Sequence, residues 1–354
     1  MTTQTLPPMA SAAHLTDALR RAEVLDGARV SEVVVESSQN TVLSRIVRLE
    51  LRYDGDAPRA PKALILKSCH PDRAETFWFA GEREVAFYTQ AGARMPAGIV
   101  PHCFEAVCDP ASKTWHLLLE DLALTHRIAT AWPLPPTQGQ CESIVCALAR
   151  LHAAWWDDPR LGNEVGKQVS AAERDAWLTR FAGDFGKFCD FMSDRLSQER
   201  RVLFERLLAQ HERVFADRSR RGNITISHGD AHVWNVLLPR EGTGGTARWF
   251  DWDAWSIDTG ANDLAYMIAM HWYSDRRALL EQRLLDRYHE ELVACGVTGY
   301  SRAALDTDYR RSALLLIGRP VWQWANNIPP VIWWNNLERI LLAVDDLGAR
   351  ELLD

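Results

Sequence analysis

The chain has 354 residues, 47% hydrophobic and 25% charged, an ordinary globular composition that excludes a disordered, collagen-like or disulfide-scaffold protein. At roughly 150 residues per domain the length points to two domains. Forty Lys and Arg against 47 Asp and Glu give a net charge of −7, which argues against nucleic acid as a partner, because sequence-independent binding to it depends on clustered cations. The charge is uneven, with 10 Arg, no Lys and 16 acids in residues 251–354. Tryptophan is uneven too, with nine of the 15 at or beyond position 234.

The N-terminal residues lack a basic segment followed by an apolar one, so no signal peptide is expected. No apolar run approaches the ~20 residues that span a bilayer, so no membrane partner is expected either. Seven Cys without a CxxC pair read as reduced thiols of a cytoplasmic protein. Leu15, Leu19, Ala22 and Leu25 recur at helical spacing and predict an amphipathic helix over 15–24. Strands are predicted at 30–36, at 42–53 and, after the turn-rich DGDAPRAP, at 63–67. Helical periodicity returns over 73–91, carrying Phe77, Ala80, Glu84, Phe87 and Tyr88. Strands at 101–107 and 115–119 lead into Glu120-Asp121-Leu122. Beyond that point the segments 140–156, 171–191, 194–215 and 278–294 all read as helices. Two short apolar strands, 236–238 and 247–250, interrupt them and form a hairpin across the Gly-rich REGTGG. The chain thus divides near residue 121 into a β-rich part, 1–121, and a mostly helical part, 122–354.

The densest reactive cluster is ISHGDAHVWNVLLP at 226–239, with His228, Asp230, His232 and Asn235 inside eight positions. ARWFDWDAW follows, with Asp251 and Asp253 at the end of the second hairpin strand. An Asp, an Asn five residues on and a second Asp after a hairpin are what ATP-dependent phosphoryl transfer needs. The first carboxylate orients or accepts the proton of an attacking hydroxyl, while the amide oxygen and second carboxylate are hard ligands for Mg²⁺. That chemistry also uses a strand lysine paired with a helix glutamate to position the α- and β-phosphates, roles that Lys67 and Glu84 fill. Lys67 alone would be an ordinary surface lysine. Its spacing to Glu84 gives it meaning, and Glu84 is preferred over Glu82 because it directly precedes the apolar stretch.

These residues resemble the aminoglycoside phosphotransferase/choline kinase superfamily. H-G-D-x-H-x-x-N, an apolar strand ending in D-W-D, and G-x-N-D-L-A occur in its order, as do ALILK, EREVAFY, LLLEDLA and ALARLHAAWW. The resemblance runs over roughly residues 30–270 and is strongest to the ecdysteroid-kinase-like and bacterial phosphotransferase branches. It implies an α+β, bilobal, protein-kinase-like fold with a small β-rich N-lobe and a larger, mostly helical C-lobe. It implies Asp230 as catalytic base, Asn235 and Asp251 as metal ligands, and Lys67 with Glu84 at the phosphates. Glu120 to Leu122 would be the hinge that meets the adenine, and Asp263 an anchor of the catalytic loop. The loop over the phosphates would be ESSQNT, 36–41. It lacks glycine, leaving Ser37, Ser38, Asn40 and Ser44 as the groups able to hydrogen-bond phosphates.

An H-x-D-x-H metal triad is a weaker reading of His228, Asp230 and His232, since zinc needs three or four convergent ligands and no Cys is near. His228 reads better as a hydrogen-bonder that fixes the loop. No G-x-S-x-G supports acyl transfer. Trp155 and Trp156 read as core. Trp249, Trp252 and Trp255 alternate around Asp251, and Trp322, Trp324, Trp333 and Trp334 lie in a segment too irregular for a simple helix stripe. Asp253, Trp255, Trp324 and Trp334 are the candidate acceptor pocket, since aromatic walls hold apolar rings and cations. The expectation is a small-molecule kinase that uses ATP and Mg²⁺ and phosphorylates a hydroxyl. The alternative is a non-catalytic nucleotide-binding regulator. A protein kinase is disfavoured because no HRD-type loop or APE-like anchor occurs.

Overall fold

Alternating burial along the strands builds the N-terminal part. The computed structural model describes residues 7–41, 43–72, 74–210 and 222–354. Val42, Arg73, the Phe77 side chain and residues 211–215, all within expected elements, lie outside the described part. The chain divides into two compact units, Met1–Arg127 with Leu237–Trp255, and Ile128–Val236 with Ser256–Asp354.

In the first unit β1 (Arg29–Asn40), β2 (Ser44–Asp54), β3 (Ala63–Cys69), β4 (Cys103–Asp109) and β5 (Thr114–Glu120) form an antiparallel sheet in the order β1-β2-β3-β5-β4. Val47 lies opposite Leu66, Leu49 opposite Leu64, and Leu66 opposite Leu118, so these buried side chains share one face. Helix α1 (Ala12–Arg21) lays Leu15, Ala18 and Leu19 onto it, and each fully buried leucine contributes roughly 1.5–3 kcal/mol. The helix starts three residues before its expected position because Ser11 caps it, its side chain accepting from His14 N. Lys67 alternates with Leu66 and projects from the other face, where helix α2 (Ala74–Gln90) carries Glu84.

The segment expected to be a loop over the phosphates is strand through Asn40. Ser38 pairs with Val47 and Asn40 with Arg45, because no glycine or proline interrupts the ladder. The turn comes later, with Thr41 N donating to Ser44 O at 2.8 Å. β6 (His126–Ile128), β8 (Val236–Pro239) and β9 (Arg248–Trp249) form a second sheet in the order β6-β8-β9. Residues 237–255 therefore pack with the first unit, whereas a single cut at residue 121 groups them with the helices. Trp249 N donates to Ile99 O at 2.7 Å, Arg248 Nη1 to Val100 O at 2.9 Å, and Trp252 stacks on Phe87 with centroids 3.8 Å apart.

The second unit is mostly helical. It contains α3 (Gln138–Ala153), α4 (Ala171–Met192), α5 (Gln198–Ala209), α6 (Ala261–Leu264), α7 (Ser274–Ala294), α8 (Arg302–Leu316), α9 (Gly318–Ala325) and α10 (Pro330–Asp346). Capping boxes at Thr137/Gln140 and Ser170/Glu173 start α3 and α4. The irregular PVWQWANNIPPVIWWNN is two helices, separated at Asn326–Pro329, with Pro330 opening α10 where its missing N–H costs nothing. β7 (Thr225–Ser227) pairs antiparallel with β10 (Ser256–Asp258). No helix of the described residues is long and apolar enough to cross a membrane.

Candidate active site

In the first unit the structure brings Lys67, Glu84 and Asp251 together. The Lys67 ammonium lies 2.5 Å from Glu84 Oε2 and 2.5 Å from Asp251 Oδ1. Glu84 is buried while Glu82 is exposed, which decides between them. Burial works against the Lys67 cation, but Asp251, Glu84 and Asp253 outweigh it, so its pKa is raised and it stays an ammonium. Burial pushes the Glu84 carboxyl upward against the pull of Lys67. Asp251 has φ +68°, a left-handed conformation uncommon for a non-glycine residue and found where function holds it.

The other nucleotide candidates are also in this unit. Ser38 and Asn40 are exposed at the end of β1, and Arg45 Nε donates to Ser38 Oγ at 3.1 Å. Glu120 Oε2 accepts from His102 N, and the Leu122 carbonyl accepts from Thr125 N and His126 N. Trp255 is buried, its Nε1 donating to Arg83 O at 2.7 Å. With Trp249 and Trp252, both 0% exposed, it packs the first unit.

In the second unit the loop after β7 holds Asp230 and Asn235. Asp263 pins that loop from below, accepting from Ser227 Oγ at 2.8 Å, His228 N at 2.7 Å and Gly229 N at 2.9 Å, with His152 Nε2 at 3.1 Å. His228 Nδ1 accepts from Asp230 N at 3.3 Å, the loop-fixing role expected of it. Asn235 Nδ2 donates to the Asp230 carbonyl at 3.0 Å and to Asp230 Oδ2 at 3.3 Å. Its NH₂ is thus committed to the loop, and the atom left for a cation is the amide oxygen. That oxygen is a hard donor of the type Mg²⁺ prefers, as, in the first unit, are those of the Asp251 carboxylate.

Asp230 has partners that the linear motif does not reveal. The Tyr266 hydroxyl donates to its Oδ1, Arg319 Nη2 lies 3.5 Å from Oδ1, and His232 Nε2 lies 3.4 Å from Oδ2. Burial would raise the Asp230 carboxyl, but His232, Arg319 and Tyr266 offset this and hold it well below the usual carboxylate range. Tyr266 sits in a π-turn, Ala265–Ala269, closed by Met270 N donating to Ala265 O. Such turns recur at functional sites. The arrangement is an ionised, oriented carboxylate on an anchored loop, able to align a hydroxyl and take its proton.

The sequence matches the ecdysteroid kinase-like family over residues 39–297. The chain belongs to that family. No curated protein matches this ecdysteroid kinase-like chain. Among solved structures it is similar to a protein from Ralstonia eutropha JMP134 provisionally named an aminoglycoside phosphotransferase, with 12% identity, TM-score 0.57, and 97% and 98% of the two chains covered. It is also similar to a choline/ethanolamine kinase family protein from Mesorhizobium loti, with 14% identity, TM-score 0.54, and 90% and 91% covered. A third is the GDP complex of wild-type aminoglycoside 2'-phosphotransferase-IIIa, with 12% identity, TM-score 0.52, and 96% and 99% covered. The shared fold is the kinase-like α+β one, with a sheet in the N-terminal region and helices in the C-terminal region.

The remaining acceptor candidates of this ecdysteroid kinase-like chain are in the second unit. Trp324 meets Phe188 and Phe191, each with centroids 5.4 Å apart, and Trp334 meets Trp333 at 6.1 Å. Arg319 stands over the Tyr266 ring at 5.4 Å and the Trp322 ring at 4.7 Å. Tyr266 and Arg319 are functional candidates that the sequence reading missed. The one signal available was that Tyr266 follows NDLA directly.

Proposed function

We propose that this chain transfers the γ-phosphoryl group of ATP to a hydroxyl of a small-molecule acceptor. The observation that carries the reading is the buried Lys67 ammonium held between two carboxylates. One partner is a helix glutamate and the other a carboxylate that follows a hairpin strand, the surroundings expected of a phosphate-positioning lysine beside a metal ligand. Lys67 orients the α- and β-phosphates, with Glu84 fixing its position. Ser38 and Asn40, beside the β1–β2 turn, offer further phosphate contacts. The backbone of Glu120 to Leu122 meets the adenine, with Leu122 contributing its N–H because its carbonyl is engaged. Asn235 and Asp251 supply the oxygens for Mg²⁺, which when bound offsets the negative charge of the phosphates. Asp230 aligns the acceptor hydroxyl and takes its proton.

Residues 1–121 are assigned the nucleotide, and the later chain the catalytic loop, metal ligands and acceptor. For the acceptor, the ring cluster around Trp324 and Trp334 supports those two residues. Asp253 acts on the charge of Lys67, and Trp255 is committed to packing. Antibiotics (aminoglycosides or macrolides), amino alcohols, sugars and steroid-like alcohols are the acceptor classes to try.

The test is nucleotide consumption across a panel of those acceptors, with GTP beside ATP because similar structures hold GDP, one of them together with kanamycin. Asp230→Asn is expected to lower turnover by orders of magnitude while leaving Mg-ATP affinity in place. Unchanged turnover would remove Asp230 from the role. Tight ATP binding with no turnover on any acceptor would favour a nucleotide-binding regulator.

A further inference from the structure

On the face of the first-unit sheet opposite Lys67, side chains from α1, β4 and β5 converge. His14 Nε2 lies 2.6 Å from Glu105 Oε2, and His116 Nε2 lies 2.7 Å from the same oxygen. The two rings stand edge to face with centroids 5.6 Å apart. Arg21 Nη2 donates to the other oxygen, Oε1, at 2.5 Å, which turns Oε2 toward the imidazoles. The Glu105 and His116 side chains are each 9% exposed and His14 is 32% exposed, so the cluster is walled on one side and open to solvent through His14.

A hydrogen-bonded staple between a helix and a sheet needs one imidazole on one carboxylate oxygen. Here two imidazoles aim the same ring nitrogen at the same oxygen, and the three ligand atoms lie within 4.8 Å of one another. That is the donor set of a two-histidine, one-carboxylate metal site. We propose that His14, Glu105 and His116 bind a divalent transition-metal ion of the Zn²⁺ type. Two imidazoles with one carboxylate suit Zn²⁺, Ni²⁺ or Co²⁺ and are poor ligands for Mg²⁺, which prefers oxygen. Ligands about 2.0–2.1 Å from a tetrahedral Zn²⁺ stand about 3.3 Å apart. Each imidazole therefore has to withdraw from Glu105 by about 0.6–0.7 Å from its present 2.6 or 2.7 Å, carrying its proton on Nδ1. Three protein ligands leave one position for water. The ion would tie α1 to β4 and β5, so its binding would stabilise the first unit.

Zn²⁺ titration of the full chain by calorimetry, alongside His14→Gln and His116→Gln, tests the site. Glutamine can still donate to Glu105, so a staple would survive the change, but it is a poor Zn²⁺ ligand. The expected result is one Zn²⁺ per chain that either variant weakens more than about 100-fold, since even groups supporting a ligand indirectly are worth tenfold or more. Zn²⁺ should also raise the thermal midpoint of the parent and not of the variants. Bound Co²⁺ should give the visible absorption of a four- or five-coordinate ion. Equal Zn²⁺ affinity and stoichiometry in parent and variants, or no binding by the folded parent, would overturn the site and leave a hydrogen-bonded staple.

Discussion

Asp230 illustrates how a carboxylate is prepared. Alone, its burial would favour the neutral acid, which cannot accept a proton. His232, Arg319 and the Tyr266 hydroxyl reverse that preference, and Asn235 holds the backbone beneath it. Tyr266 is the simplest of these to remove, because phenylalanine keeps the ring under Arg319 and deletes one donor. A hydrogen bond to a charged group contributes roughly 1.5–3 kcal/mol. Tyr266→Phe is therefore expected to lower kcat by about tenfold to a hundredfold while leaving KM for ATP unchanged. The measurement is a set of steady-state rates with whichever acceptor is turned over. A KM effect with kcat unchanged would assign Tyr266 to packing. Arg319 was invisible to sequence reading because it lies 89 positions from Asp230 and carries no local pattern, and Tyr266, 36 positions away, had only its place after NDLA to mark it. Asp230, Asn235 and Asp251 were legible because the catalytic loop and hairpin set their spacing locally.

At the scale of elements, α2 determines where Glu84 stands. The helix crosses β5 at Gly81, where an added Cβ would fall 1.9 Å from the Trp115 ring. Glu84 is one turn further along the same helix. Gly81→Ala gains helix propensity but forces the helix off the sheet, with a net cost of about 1–3 kcal/mol, the usual range for overpacking. The displacement should separate Glu84 from Lys67 and raise KM for ATP. Gly183→Ala is the contrasting case, since Gly183 is an exposed position of α4 with nothing within 4 Å of the added carbon. It is expected to stabilise by about 0.5–1 kcal/mol. Denaturant midpoints of both variants check the pair, and a neutral Gly81→Ala would show that α2 has room to move. The strands and long helices were legible because period-two and helical patterns are written in adjacent residues. The strand character of 36–40 was masked by an expectation of a loop, and the two helices of 318–346 by their Asn- and Pro-rich junction. The attachment of 237–255 to the first unit was not legible, because hydrogen bonds to Ile99 and Val100 create it across about 150 residues.

For the whole molecule, the uneven composition finds a physical explanation. Trp249, Trp252 and Trp255 are buried packing of the first unit, so the tryptophan excess divides between structure and the aromatic cluster of the second. Much of the acidity beyond residue 251 is met by arginine, as in Arg277 with Asp346 and Glu281, and Arg302 with Asp286 and Asp306. It is therefore no strong indication of a cationic acceptor. The titrating groups predict how each unit responds to acid. In the second unit, burial and then the nearby His232 lower His271 from 6.5 to about 3. The unfolded chain takes up that proton first, so stability falls as pH drops from about 6.5 toward 3. Asp263 is buried, yet His152, His228 and the loop amide of Gly229 hold its carboxyl low, so its contribution is also lost as pH falls below the ordinary aspartate range. In the first unit, Glu105 is lowered from 4.5 to about 2, burial being outweighed by His116, His14 and Arg21, and its contribution is complete above 4.5 and lost toward 2. The second unit should therefore begin to loosen at higher pH than the first. Hydrogen exchange with mass spectrometry, in chelator and from pH 7.5 to 4, should show protection falling in peptides of 225–354 (237–255 excluded) before those of 29–120. His271→Gln should flatten the early loss. Simultaneous loss in both sets, or an unchanged slope in the variant, would mean that His271 does not govern the acid response.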